Sequence, residues 1–216
     1  MSDKNPSRDF FLSTIHQKAM GFLAKYSDQE FHEREVARRI GISFGSANKA
    51  LNDLFKSGLL ARKRAGNMVF YRFDRQEPLL RILKIYTTLA LLRPLIDRLK
   101  STTTRITLFG SCAKGEDDSQ SDIDLFIVAD DPGNARPIID EFNFPRAFED
   151  IAIKPVIFST IDLLRSEKIE PEFLSLVNDG IVLWEWKSHE TGILGVPEQQ
   201  EARSLRSRPK ARRKGN

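Results

Sequence analysis

The stretch from Arg105 to Ala129 limits the fold more than any other part of this chain. An apolar run ends at Phe109, Gly110 and Ser111 follow, and a charged loop leads to Asp122 and Asp124 at the mouth of a second apolar run, Ile123 to Ala129. Apolar runs of this length bounded by glycine and turn residues read as buried strands. An unpaired charge beside a buried strand is expensive, and two residues apart on a strand means one face, so the two carboxylates also repel each other. Gly110 and Ser111 follow a strand and open a helix, which suits a backbone that approaches an anion closely while free N–H groups point at it. A hard divalent cation, Mg²⁺ or Mn²⁺, held by both carboxylates and by substrate phosphates would offset the repulsion. In the plainer alternative Asp122 caps a turn, Asp124 is exposed on an edge strand and Gly110 is a tight bend. The joint occurrence of all the parts favours the phosphate and metal reading.

The segment GSCAKGEDDSQSDIDLFIV, residues 110 to 128, resembles the signature of the polymerase-beta-type minimal nucleotidyltransferases, and the likeness extends over roughly residues 104 to 184. The resemblance implies that Gly110 and Ser111 contact the triphosphate of ATP or another NTP, and that Asp122 and Asp124 are catalytic ligands of Mg²⁺ or Mn²⁺. It also implies transfer of NMP to an acceptor, for which a protein hydroxyl is one candidate. Lys114 is a further candidate phosphate contact, or else a solvated helix residue. In one respect the chain departs from the family pattern. A third carboxylate is expected on a neighbouring strand, and the position in DIAIKPVIF that aligns with it is Lys154. A cation there repels a second metal ion. Either catalysis is weakened or lost, or another acid such as Asp150 or Glu149 substitutes, or Lys154 pairs with Asp122 or Asp124 and makes metal dispensable, or Lys154 simply faces solvent. Glu116, Asp117 and Asp118 read as a charged loop, and Cys112 as a packing residue.

The rest of the pattern is helical before residue 101 and alternates strands with helices after it. Residues 7 to 27 read as a helix with Ser7 as its cap. Val36, Ala37 and Ile40 mark a short helix ended by Gly41, and Ser43 caps a second with Ala47, Ala50, Leu51 and Leu54 inward. Leu59 to Arg64 and Met68 to Phe73 form a hairpin around Ala65, Gly66 and Asn67. Helix, turn, helix, hairpin is the order of a winged helix, and the segment resembles the winged-helix domains of transcription regulators. A second helix of that kind reaches base edges. Ser43, Ser46, Asn48, Lys49 and Asn52 are therefore candidate base contacts, and Arg62, Lys63 and Arg64 on the wing are candidate phosphate contacts. An exposed Phe44 would weaken the simplest form of that reading.

Residues 77 to 100 read as a connecting helix containing Pro94, a candidate homodimer surface. Later helices are expected near 137 to 143, 161 to 167 and 171 to 178, with strands at 151 to 158 and 181 to 184. The fold class is thus α+β. A winged-helix DNA-binding domain spans 1–76, a connector 77–100, a minimal nucleotidyltransferase domain with a small mixed sheet 101–186, and a basic tail 187–216.

Charge follows the same division. Residues 1–76 hold 14 Lys and Arg against 8 acids, residues 77–200 hold 13 against 21, and residues 201–216 hold 7 against 1. The basic head suits double-stranded DNA, and the basic tail is either a polycation that adds salt-sensitive affinity for nucleic acid or a solubilising end. No apolar run approaches the roughly 20 residues of a membrane span, no signal-peptide pattern opens the chain, and Cys112 has no disulfide partner. The expectation is a soluble cytoplasmic protein with no membrane partner. Its two function classes are a Mg-dependent nucleotidyltransferase that also binds DNA, and a DNA-binding regulator whose nucleotidyltransferase domain is a nucleotide sensor or dimerisation module.

Overall fold

The structure is a computed structural model that describes residues 12, 14–164 and 170–186. The first helix among the described residues, α1 (Ile15–Lys25), is capped by Thr14. The Thr14 hydroxyl accepts from the Gln17 amide and the Gln17 side chain accepts from the Thr14 amide, a reciprocal pair that fixes a helix start. Ser7 lies outside the described residues. The two-residue strand β1 (Phe31–His32), too short to carry a sequence signature, leads into α2 (Glu33–Ile40), which Gly41 closes in the left-handed region at φ 70°. Ser43 then caps α3 (Phe44–Lys56) by accepting from the Ser46 amide. Strands β2 (Leu60–Ala65) and β3 (Met68–Phe73) pair antiparallel, with Ala65 opposite Met68, so the turn is only Gly66 and Asn67. β1 joins the other edge of β3, giving the order β1-β3-β2.

Helix α4 (Leu79–Leu99) carries Pro94 within it. A four-stranded mixed sheet follows, ordered β6-β5-β4-β7, from β4 (Thr103–Phe109), β5 (Ile123–Ala129), β6 (Ile153–Ser159) and β7 (Ile181–Glu185). β5 runs parallel to β6 and antiparallel to β4. Between the strands lie α5 (Gly110–Lys114), α6 (Pro132–Asp140), a 3₁₀ turn at Arg146–Phe148, α7 (Thr160–Leu164) and α8 (Pro171–Asn178). Helix α6 begins five residues before the expected Pro137 because Asp131 caps it and Pro132 occupies its first turn. The expected end of the helix after β6 falls in residues 165–169, outside the described residues.

Alternation along β5 divides its side chains between two cores. Ile123, Leu125, Ile127 and Ala129 join Leu92, Leu95 and Leu99 of α4 and Ile139 of α6. On the opposite face Phe126 and Val128 pack with Phe109, Phe158 and Phe173. A third cluster gathers α1 to α3, the small sheet and Leu80 and Leu91 of α4, and it includes Ala147 and Phe148 from the 3₁₀ turn. The amino-terminal helices thus share one core with a turn from the carboxy-terminal part.

Candidate nucleotide site and candidate nucleic-acid face

The register places the candidate residues side by side. Asp124 pairs with Phe109 on one side and with Lys154 on the other. All three lie in one row across the strands, on the face that carries Phe126 and Val128. Gly110 follows directly, with φ at 72°, in the region that side chains other than glycine avoid. A Cβ at Gly110 would lie 2.5 Å from Asp124 Oδ2, so the missing side chain leaves the room this carboxylate occupies. Ser111 is half-buried, and Lys114 is exposed at the end of α5.

Burial is the main influence on Asp124. It pushes the carboxyl above its ordinary range, Lys154 pulls it back, and Asp122 pushes it up again. Asp122, one residue before the strand, forms an ion pair with the exposed Lys154 ammonium. The hydrogen bond and charge of Asp122 in turn hold that ammonium above its ordinary value.

These residues answer the question raised by two adjacent carboxylates. Part of the compensating charge comes from the chain itself, one ammonium against two carboxylates. β6 provides no third carboxylate beside Asp124, and Asp150 is engaged elsewhere, by the Tyr26 hydroxyl and by Arg39 at 3.1 Å. Glu149 caps the 3₁₀ turn. Among the described residues no group of three His, Cys, Asp or Glu side chains could hold a metal ion. With Lys154 bound to Asp122, the donor set does not fit a divalent ion bridged between the two aspartates.

One prominent feature of the loop gave no sequence signal. Asp117 is 0% exposed and forms an ion pair at 2.7 Å with Lys25, itself 1% exposed. The sequence reading as a solvated charged loop is therefore corrected for Asp117, whereas Glu116 pairs with Arg81 at the surface. Asp117 lies among four polar residues, and its partner is 92 positions away in sequence, so no local pattern could have found it. Cys112 is buried, and its thiol donates to the Asp122 carbonyl at 3.3 Å.

The candidate nucleic-acid face is assembled by α3 and the hairpin. Ser43 and Ser46 are bonded to each other at 2.8 Å and serve the helix cap. Asn48 donates to Glu33 at 2.8 Å, Asn52 donates to the Asn48 carbonyl at 2.9 Å, and Arg62 donates to Asn52 at 3.3 Å while lying 4.2 Å from the Phe55 ring centre. These contacts tie the wing to α3. Lys49, Lys63 and Arg64 are exposed, but along β2 only Arg64 shares the face of Arg62, and Lys63 on the opposite face pairs with Glu30 at 3.9 Å. Phe44 is 50% exposed, with the Arg34 guanidinium 5.8 Å above its ring.

No helix among the described residues is long and apolar enough to cross a membrane. No curated protein matches the chain. Solved structures resemble it only in part. Reduced HlyU from Vibrio cholerae is 20% identical over 45% of this chain and 93% of that one, with a TM-score of 0.27. The homodimeric winged helix-turn-helix DNA-binding domain Mb0332 from Mycobacterium bovis is 16% identical over 46% of this chain and 89% of that one, at 0.26. A hypothetical protein of Pyrobaculum spherical virus, PyrSV_gp04, is 16% identical over 76% of this chain and 82% of that one, at 0.26. The family model described as a nucleotidyltransferase domain matches residues 91–178, from the middle of α4 to the end of α8. The span contains Gly110, Ser111, Asp122, Asp124 and Lys154, so the chain carries a nucleotidyltransferase domain around the row of residues described above.

Proposed function

We propose that this protein is a DNA-binding regulator whose nucleotidyltransferase domain binds a nucleoside triphosphate without transferring it. The ion pair between Lys154 and Asp122 carries this reading. The Lys154 ammonium offsets one of the two carboxylate charges and stands in the row position where a catalytic divalent ion would need a third carboxylate, and Gly110 and Ser111, which open α5, are the proposed phosphate contacts. The winged-helix reading of residues 31–73 rests on the order α2, turn, α3, hairpin, and DNA contact on Lys49 and Arg64.

Transfer of NMP to an acceptor such as a protein hydroxyl is the second reading. It is favoured by the Asp124 carboxylate, which lies against the Gly110 turn two residues after Asp122. One experiment separates the two. Binding of a fluorescent ATP analogue and of Mn²⁺, and label transfer from radioactive ATP, are measured for the native chain, Lys154→Asp and Asp122→Ala. The first reading expects nucleotide binding that survives chelation of divalent ions, no label transfer, and Mn²⁺ binding that improves at least tenfold in Lys154→Asp. Label transfer by the native chain that is lost in Asp122→Ala sinks it.

A further inference from the structure

The loop that joins α5 to β5, residues 115–121, lies between the Gly-Ser turn and the paired aspartates. Residues of the amino-terminal half and of α4 hold it along its length. Arg81 bonds the Lys114 carbonyl at 3.2 Å and pairs with Glu116 at 2.7 Å. Lys25 pairs with Asp117, and Lys84 donates to the Asp117 carbonyl. Asp28 accepts from the Ser119 amide at 3.2 Å and from its hydroxyl at 2.5 Å.

Lys25 is the hub. Its ammonium also reaches Thr88 at 3.2 Å and Cys112 Sγ at 3.4 Å, and that thiol donates to the backbone carbonyl of Asp122. Asp117 Oδ1 has no partner among the described residues, and Lys25 is the only side chain among them that meets Oδ2. A buried ion pair of this kind tolerates little displacement, because separating it leaves the Asp117 carboxylate without its ionic partner away from water. Lys25 is the last residue of α1, whose His16 meets Asp53 of α3 at 3.2 Å. A contiguous set of contacts therefore runs from α3 through α1 to the backbone of Asp122.

We infer that Lys25 and Asp117 are positioning residues that couple the nucleotide site to α3, so that occupancy of one changes the affinity of the other. This rests on the function proposed above. A ligand that seats itself against Gly110 and Ser111 shifts the loop, the buried pair passes the shift to α1, and α1 passes it to α3. Linkage is reciprocal, so DNA must change ATP affinity by the same factor.

The test measures four quantities on the full chain by fluorescence anisotropy and calorimetry: ATP affinity, affinity for a labelled duplex from upstream of the protein's own coding sequence, and each again with the other ligand saturating. The native chain is expected to show a linkage factor of about fivefold or more. Lys25→Met combined with Asp117→Leu and Lys84→Met removes the buried charges together and orphans none of them. It is expected to bring the factor to one while each ligand alone still binds. Asp28→Ala, at an exposed clamp, serves as the second variant should the triple variant not fold, and is expected to reduce the factor. A factor of one in a native chain that binds both ligands, or a factor unchanged in the variants, overturns the inference. A native chain that binds only one ligand, or neither, overturns the proposed function itself, and the single-ligand affinities reveal that case separately.

Discussion

Asp124 shows how one residue can be set against the stability of the fold that holds it. Burial raises its carboxyl above the ordinary range, so the folded protein holds that proton more tightly than the unfolded chain does. The stabilising contribution of such a group is complete below the ordinary carboxylate pKa and is lost as pH rises through the raised value. At neutral pH the ionised Asp124 therefore weighs against folding, as a residue retained for binding can. Asp124→Asn is expected to melt a few degrees above the native protein at pH 7, with the gap closing as pH falls through the carboxylate range. Thermal melts over a pH series check this, and a variant less stable at pH 7 would contradict the burial argument. Lys154 is the complementary case. Its position beside Asp124 was legible from alignment of the DIAIKPVIF strand, but only the parallel register of β5 and β6 shows its ammonium reaching Asp122.

Among the elements, α3 combines a helix whose limits are written locally with a surface whose contacts are not. Ser43, the inward Ala47, Ala50, Leu51 and Leu54, and Gly58 at φ 83° mark its start, face and end within a few residues of each other. Ser43→Ala removes the side-chain acceptor of the Ser46 amide and is expected to cost about 0.5–2 kcal/mol in a denaturant titration. On the outer face the sequence offered Asn48, Asn52 and Arg62 as equals of Lys49 and Arg64. Packing ties the first three to Glu33, Tyr71 and Phe55. Lys49→Ala and Arg64→Ala are thus expected to weaken DNA binding at low salt and to reduce the salt slope by about one each. Asn48→Ala is expected to act mainly through α3 and its neighbours. Equal slopes in all variants would remove the phosphate-contact assignment.

The whole molecule does not behave as beads on a helical string. Phe148, far along the chain, stacks on Tyr26 at 6.3 Å and meets Phe22 at 6.4 Å, both in α1. Arg39 of α2 pairs with Asp150, and the Tyr26 hydroxyl donates to the same carboxylate. Burial, followed by the bond to Asp150, pushes the Tyr26 phenol far above its ordinary value, which keeps it a neutral donor at neutral pH. Phe148→Ala is expected to destabilise residues 14–186 by about 3–5 kcal/mol. The loss should appear as one shifted transition, both in a probe of α1 and in a probe of the four-stranded sheet. Two separated transitions would show that the shared core does not couple the parts.

Local chemistry alone determined most of the elements of this protein. Helix period, caps, glycines and the Asp-x-Asp strand are short-range signals, because a cap or a pleat is satisfied by residues within one turn or one strand. β1 escaped because two residues carry no period, and the start of α6 moved to the residue that could cap it. Tertiary structure decided which charges are buried, and against what. The Lys25 and Asp117 pair, the Tyr26, Asp150 and Arg39 group and the Lys154 and Asp122 pair each join residues of separate elements. Electrostatic compensation depends on distance in space and on exclusion of water, and neither quantity is carried by the order of residues along the chain.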